Sequence, residues 1–158
     1  MYDAIMAETI SIPGHNGDLI EAYYARPLAP GPFGSVVVIH HMPGYDAPTK
    51  EITRTFAVNG YNAICPNLYT REAPGASPDD AAAAARAQGG VPDERLVGDV
   101  GGTATFLRAL ENSNGKTYEF YSYPSAGHAF FSVNRPSYRV EAANDGWERI
   151  FTFYGKYL

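Results

Sequence analysis

The chain has a single cysteine, Cys65. A lone thiol cannot close an internal disulfide, and this scarcity points to a reducing, cytoplasmic setting. Positive charge is also in short supply. Twelve Lys and Arg stand against 17 Asp and Glu, for a net charge of −5. Binding along a phosphate backbone needs a basic surface, so neither nucleic acid nor an anionic membrane is an expected partner. No apolar run nears the roughly 18 residues that a membrane span requires. Residues 1–8 hold neither a basic stretch nor an apolar one, so no secretory signal is expected. The four histidines include no His-x-x-x-His pair, and one cysteine allows no Cys-x-x-Cys. No metal or other cofactor is implied.

What is present reads as one globular domain, residues 1–158, with 45% apolar and 18% charged residues. That length buries roughly 70% of the unfolded surface. Residues 7–12 alternate, and residues 19–25 follow a turn at Gly14-His15-Asn16-Gly17-Asp18, which predicts an antiparallel hairpin. The run Ser35-Val36-Val37-Val38-Ile39 does not alternate, as in a parallel strand covered on both faces. A helix over residues 49–58 ends at Asn59-Gly60, and residues 61–65 form a second buried strand closed by Pro66. Helices are expected over residues 79–88, 93–111 and 140–158, and a third inner strand over residues 117–123. The order is α/β: a hairpin, then a mostly parallel sheet with flanking helices. Sites in such sheets lie beyond the carboxyl ends of the strands. Here those ends lead into residues 40–46, 67–75 and 124–131, and two of these loops carry histidine.

At these loops the sequence resembles a known family. Gly60-Tyr61, Pro66-Asn67-Leu68-Tyr69, Ala73-Pro74-Gly75, Ser122-Tyr123 and Ala126-Gly127-His128-Ala129-Phe130 occur in order, with Tyr138, Trp147 and an aromatic C-terminal helix. Together they are similar to the dienelactone hydrolase family of α/β-hydrolases. The resemblance implies a carboxylic ester or lactone hydrolase acting on a small molecule. A typical member passes from an Asn-Gly-Lys turn into a strand bearing a Gly-x-Cys-x-Gly nucleophile elbow, with its catalytic Asp further on. Here Asn114-Gly115-Lys116 runs straight into Thr117-Tyr118-Glu119-Phe120, as if an internal deletion lay near 116/117. Neither Gly-x-Ser-x-Gly nor Gly-x-Cys-x-Gly occurs; Gly75-Ala76-Ser77-Pro78 comes nearest. A hydrolase of this kind needs a nucleophile, a base and a group that orients the base.

The resemblance assigns roles residue by residue. His128 matches the catalytic base. His41 stands where many members have a Glu that hydrogen-bonds the resting nucleophile. Met42 matches the position whose backbone N–H forms half of the oxyanion hole. Arg86 lies near the place of an arginine for the substrate carboxylate, with Arg71 as an alternative. Each has a plainer explanation. His128 is a surface-loop histidine, one of His40 and His41 is buried against a helix, and the arginines are solvated. Cys65 is expected to be buried and inert.

Three readings compete: an active hydrolase, a remnant that keeps the fold without hydrolysis and binds small ligands, and a site completed across a dimer. The missing elbow favours the second. A lost nucleophile strand would leave an open sheet edge, which residues 117–123 can fill by a right-handed crossover or a second copy of the chain can cover.

Overall fold

A computed structural model of the chain describes residues 1–42, 44–110, 123, 130–133 and 136–157. They fall into two compact units, residues 1–112 and 113–158.

The first unit is built on a four-stranded sheet. Strands β1 (Ile5–Pro13) and β2 (Leu19–Pro27) form the expected hairpin, pairing Ile5 with Pro27 and Pro13 with Leu19. One turn of 3-10 helix, His15–Gly17, joins them. Asn16 there has φ 55° and Gly17 φ 83°, conformations that Asn and Gly adopt at little cost. Strand β3 (Gly34–Val37) leads to helix α1 (Ala47–Val58) and strand β4 (Tyr61–Pro66). Asp46 caps α1 by accepting from the Thr49 N–H at 3.0 Å, and Gly60 at φ 94° turns the chain back into β4. Helices α2 (Pro78–Ala87) and α3 (Asp93–Leu110) follow.

The strand order is β1-β2-β4-β3. The expectation of a mostly parallel sheet is corrected here. β1 and β2 pair antiparallel, β2 and β4 pair antiparallel, and only β3 and β4 run parallel. The cause is connectivity. A tight turn can only make an antiparallel pair, and the returning strand β2 then meets β4 head to tail. Only the β3–α1–β4 segment has the long crossover that a parallel pair needs. The run at 35–39 is also shorter as a strand than its composition implied. The ladder ends at Val37, one further bond runs from the Val38 N–H to the Ile64 carbonyl at 2.8 Å, and Ile39 is 59% exposed. The expected strand over residues 117–123 lies outside the described residues, Tyr123 apart.

Alternation sorts side chains to two faces. Ile12, Ile20, Ala22, Tyr24 and Ile64 gather on one face with Leu107 and Phe106 of α3. Each of the fully buried isoleucines contributes about 1.5–3 kcal/mol. The opposite face takes α1: the Arg54 guanidinium donates to the Tyr23 hydroxyl at 2.8 Å, and the Lys50 ammonium lies 4.0 Å from the Tyr45 ring centre. Helices thus cover both faces and leave the carboxyl ends of β3 and β4 to the loops.

In the second unit, helix α4 (Val140–Tyr157) carries a chain of ring contacts. Phe131 meets Trp147 edge-on at 5.5 Å, and Trp147 stacks on Phe151 at 5.3 Å. The Tyr123 hydroxyl donates to Asp145 at 2.6 Å. No described helix is long and apolar enough to cross a membrane.

Candidate active site

Two loops leave the sheet at the same end. One follows β3 through His40, His41 and Met42. The other follows β4 through Asn67, Leu68 and Tyr69. Each is shaped by its own sequence. Asn67 begins a tight turn in which its carbonyl accepts from the Thr70 N–H at 3.1 Å and its side chain from the Tyr69 N–H at 3.1 Å. The Gly44 N–H closes the first loop on the His41 carbonyl at 2.8 Å. Gly44 has φ 104°, and a Cβ there would sit 3.1 Å from the Pro78 carbonyl oxygen and 3.4 Å from the Tyr69 ring. Only glycine suits both the backbone angle and the close approach.

His40 joins the loops. It is buried, as one of the adjacent pair was expected to be. Its Nε2 accepts from the Leu68 N–H at 3.0 Å, and its Nδ1 lies 3.0 Å from the His41 carbonyl oxygen. Its ring meets Tyr69 edge-on at 4.9 Å. Burial lowers its pKa below the usual histidine value, favouring the neutral ring. The Tyr69 hydroxyl then donates to the Met42 carbonyl at 3.1 Å, a second tie between the same loops.

The other candidates fall as follows. His41 is half-buried at the turn, and the Met42 side chain is 63% exposed. Among the described residues nothing accepts from the Met42 N–H. Arg86 is exposed on the last turn of α2. Burial raises the Tyr69 phenol above its ordinary pKa, and the nearby positive charge of Arg86 pulls against that rise. The structure therefore brings Met42, Tyr69 and Arg86 to one end of the sheet. His128 lies outside the described residues. Among the described residues no group of three His, Cys, Asp or Glu side chains could hold a metal ion.

Arg71 is engaged elsewhere. Its guanidinium binds Asp99 through two bonds, at 2.8 and 3.0 Å, and Asp18 through a third at 3.0 Å. Asp99 has no exposed side-chain surface and also accepts from the His15 N–H at 2.8 Å. This charge cluster pins the β4 loop to α3 and to the hairpin turn, so the alternative role of Arg71 as an anion binder is already filled by protein carboxylates.

Two side chains weighed as nucleophiles are committed too. The Ser77 hydroxyl accepts from the Asp80 N–H at 3.3 Å and donates to the Asp80 carboxylate at 2.7 Å, capping α2. Cys65 is fully buried, and burial pushes its thiol pKa up to about 12. Tyr69 is the site residue that sequence reasoning missed. It belongs to a quoted motif, but its reach to Met42, 27 positions away, has no signature in spacing.

The model of the dienelactone hydrolase family matches residues 20–116 and 100–158. A protein of Methylorubrum extorquens named "Putative carboxymethylenebutenolidase" is 26% identical over 241 positions, covering 98% of this chain and 82% of that protein. One of the same name from Escherichia coli K12 is 26% identical over 245 positions, with 98% and 89% covered. Both aligned spans are longer than the 158 residues of this chain, so these relatives carry internal positions with no counterpart here. A crystal structure of a "Putative Dienelactone Hydrolase" from Klebsiella pneumoniae superposes with a TM-score of 0.78. It is 22% identical, with 98% of this chain and 100% of that chain covered, which establishes likeness of fold.

Proposed function

The chain belongs to the dienelactone hydrolase family, and we propose that it is a hydrolase-like protein of the carboxylic ester and lactone class that keeps the binding end of the fold and has lost turnover. The observation that carries this reading is the absence of a Gly-x-Ser-x-Gly or Gly-x-Cys-x-Gly elbow from all 158 residues. Ser77 and Cys65, the nearest substitutes, are held by a helix cap and by burial. A small ester or lactone would meet the Met42 N–H as donor to its carbonyl oxygen and the Arg86 guanidinium as counter-charge. His128 would stand as the base that matches the family motif, and His41 beside the donor. One oxyanion donor is worth about 10²–10³ in kcat, whereas a missing nucleophile costs about 10⁶. The surviving donor therefore cannot offset the loss.

Small-ligand binding on the same fold is the second reading. It is favoured by the joined β3 and β4 loops, which keep Met42 and Tyr69 together without needing an elbow. Hydrolysis of p-nitrophenyl acetate decides about turnover. The expected rate for the purified chain equals that of His128→Ala and lies at the solvent background. Turnover that His128→Ala abolishes would show a working site and overturn the proposal.

A further inference from the structure

We propose that His40, through its neutral Nδ1–H tautomer, is the positioning residue that aims the Met42 N–H, so that this donor is set by a side chain rather than by the loop alone. The inference rests on the reading of the Met42 N–H as the anion-facing donor.

The geometry fixes the tautomer. The Leu68 N–H can only donate, so the Nε2 it reaches must carry a lone pair. The His41 carbonyl can only accept, so the Nδ1 facing it must carry the proton. Every role in this pair of bonds is assigned by the backbone groups at its ends.

The His41 carbonyl and the Met42 N–H belong to one peptide plane. In a trans peptide the two bonds point in opposite directions and turn together. Whatever holds the His41 oxygen therefore aims the Met42 hydrogen. Two donors hold it: His40 Nδ1 at 3.0 Å and the Gly44 N–H at 2.8 Å. Both also polarise the plane, which strengthens its N–H as a donor. The next plane is held by the Tyr69 hydroxyl on the Met42 carbonyl at 3.1 Å. His40 in turn is anchored to the second loop through the Leu68 N–H.

A protonated ring breaks this arrangement. The second proton would sit on Nε2 and face the Leu68 N–H, donor against donor. The ionisable groups around the ring are His41 and Asp46 on its own loop, Tyr69 on the facing loop and the Cys65 thiol at the end of β4. Burial dominates and keeps the ring neutral, with the His41 imidazole acting the same way, while the hydrogen bond to the His41 carbonyl and the charge of Asp46 favour the protonated form.

The test is nuclear magnetic resonance on the full chain, with sodium acetate as the probe anion. Long-range nitrogen–proton spectra at neutral pH should show the Nδ1–H tautomer for His40. In His40→Ala the Met42 amide proton should move upfield by several linewidths and lose its response to acetate. The Ala63 and Ile64 amides of β4 should stay in place, which shows that the sheet is intact. His40→Gln, whose amide can donate to His41 and accept from Leu68, should restore both the Met42 position and its acetate response. An Nε2–H tautomer in the wild type, or a Met42 amide unchanged in position and acetate response in His40→Ala, overturns the proposal. If acetate leaves Met42 unmoved in the wild type while His40→Ala still displaces the amide, the donor role fails and the positioning role stands. Ester turnover is read separately, so the two ideas can fail independently.

Discussion

At the scale of single residues, the Arg71–Asp99 pair is where burial and charge oppose each other most directly. Burial alone would raise the Asp99 pKa, but the hydrogen bonds from Arg71 and the His15 N–H outweigh it and leave the carboxyl below its ordinary value. The side chain is fully buried, so removing it leaves a largely desolvated guanidinium with the exposed Asp18 as its remaining carboxylate. Asp99→Ala should cost about 3–5 kcal/mol. Asp18→Ala removes the partner that is 60% exposed and should cost under about 1 kcal/mol. Urea unfolding of the two variants checks the contrast, and equal midpoints would sink it. Cys65 gives a second test at this scale. Its thiol has no exposure and a pKa pushed up to about 12, so almost no thiolate forms at neutral pH. A thiol reagent should label the native chain at a small fraction of its rate with urea-unfolded chain. Comparable rates would show that the strand opens freely.

At the scale of elements, the glycines of α3 divide into two kinds. A Cβ on Gly102 would lie 2.3 Å from the Pro13 carbonyl oxygen, while one on Gly101 would meet nothing within 4 Å. Gly102→Ala must push the hairpin off the helix, at about 1–3 kcal/mol. Gly101→Ala gains helix propensity, about 1 kcal/mol. Opposite shifts in melting temperature are expected, and shifts of one sign would refute the assignment of the contact. The same elements show what was legible. The hairpin, α1, β4, α2 and α3 follow from alternation, caps and alanine content, because those signals act within a few residues. Sheet direction followed only in part: the run at 35–39 pairs parallel with β4 as expected, but the antiparallel pairing of β2 with β4 did not follow, because no local signal says which strand lies beside the hairpin. The site was legible in part. The carboxyl ends of the strands pointed to the loops after β3 and β4, the first of which carries histidine. The task of His40 was hidden, because its acceptor role depends on Leu68, 28 positions on, and on the peptide that Leu68 presents. Arg71 looked like a solvent-facing cation because Asp99 is equally remote, across α2.

At the scale of the whole molecule, His40 and Asp99 give stability a pH dependence in two windows. His40 has a folded pKa below its ordinary 6.5. As pH falls through about 6.5 the unfolded chain binds a proton that the folded one refuses, so stability is intact above that point and declines beneath it. Asp99 is depressed below 3.8, so its contribution is present above that value and is lost as pH falls further. Unfolding free energies measured from pH 8 to pH 3 should show the first decline, and His40→Gln should remove it. A first decline unchanged in that variant would assign it to another group. A different consequence follows from where the strands lie in the chain. All four described strands occupy Ile5 to Pro66, ahead of every described α-helix except α1. A nascent chain leaving the ribosome therefore exposes every described strand before α2, α3 or α4 has emerged. Its pairings join segments close in sequence, which favours early and rapid closure. The two stretches matched by the family model meet between residues 100 and 116, well after that point. Gain or loss of chain there falls after the described strands in the order of synthesis, so it leaves their stretch of the chain unaltered.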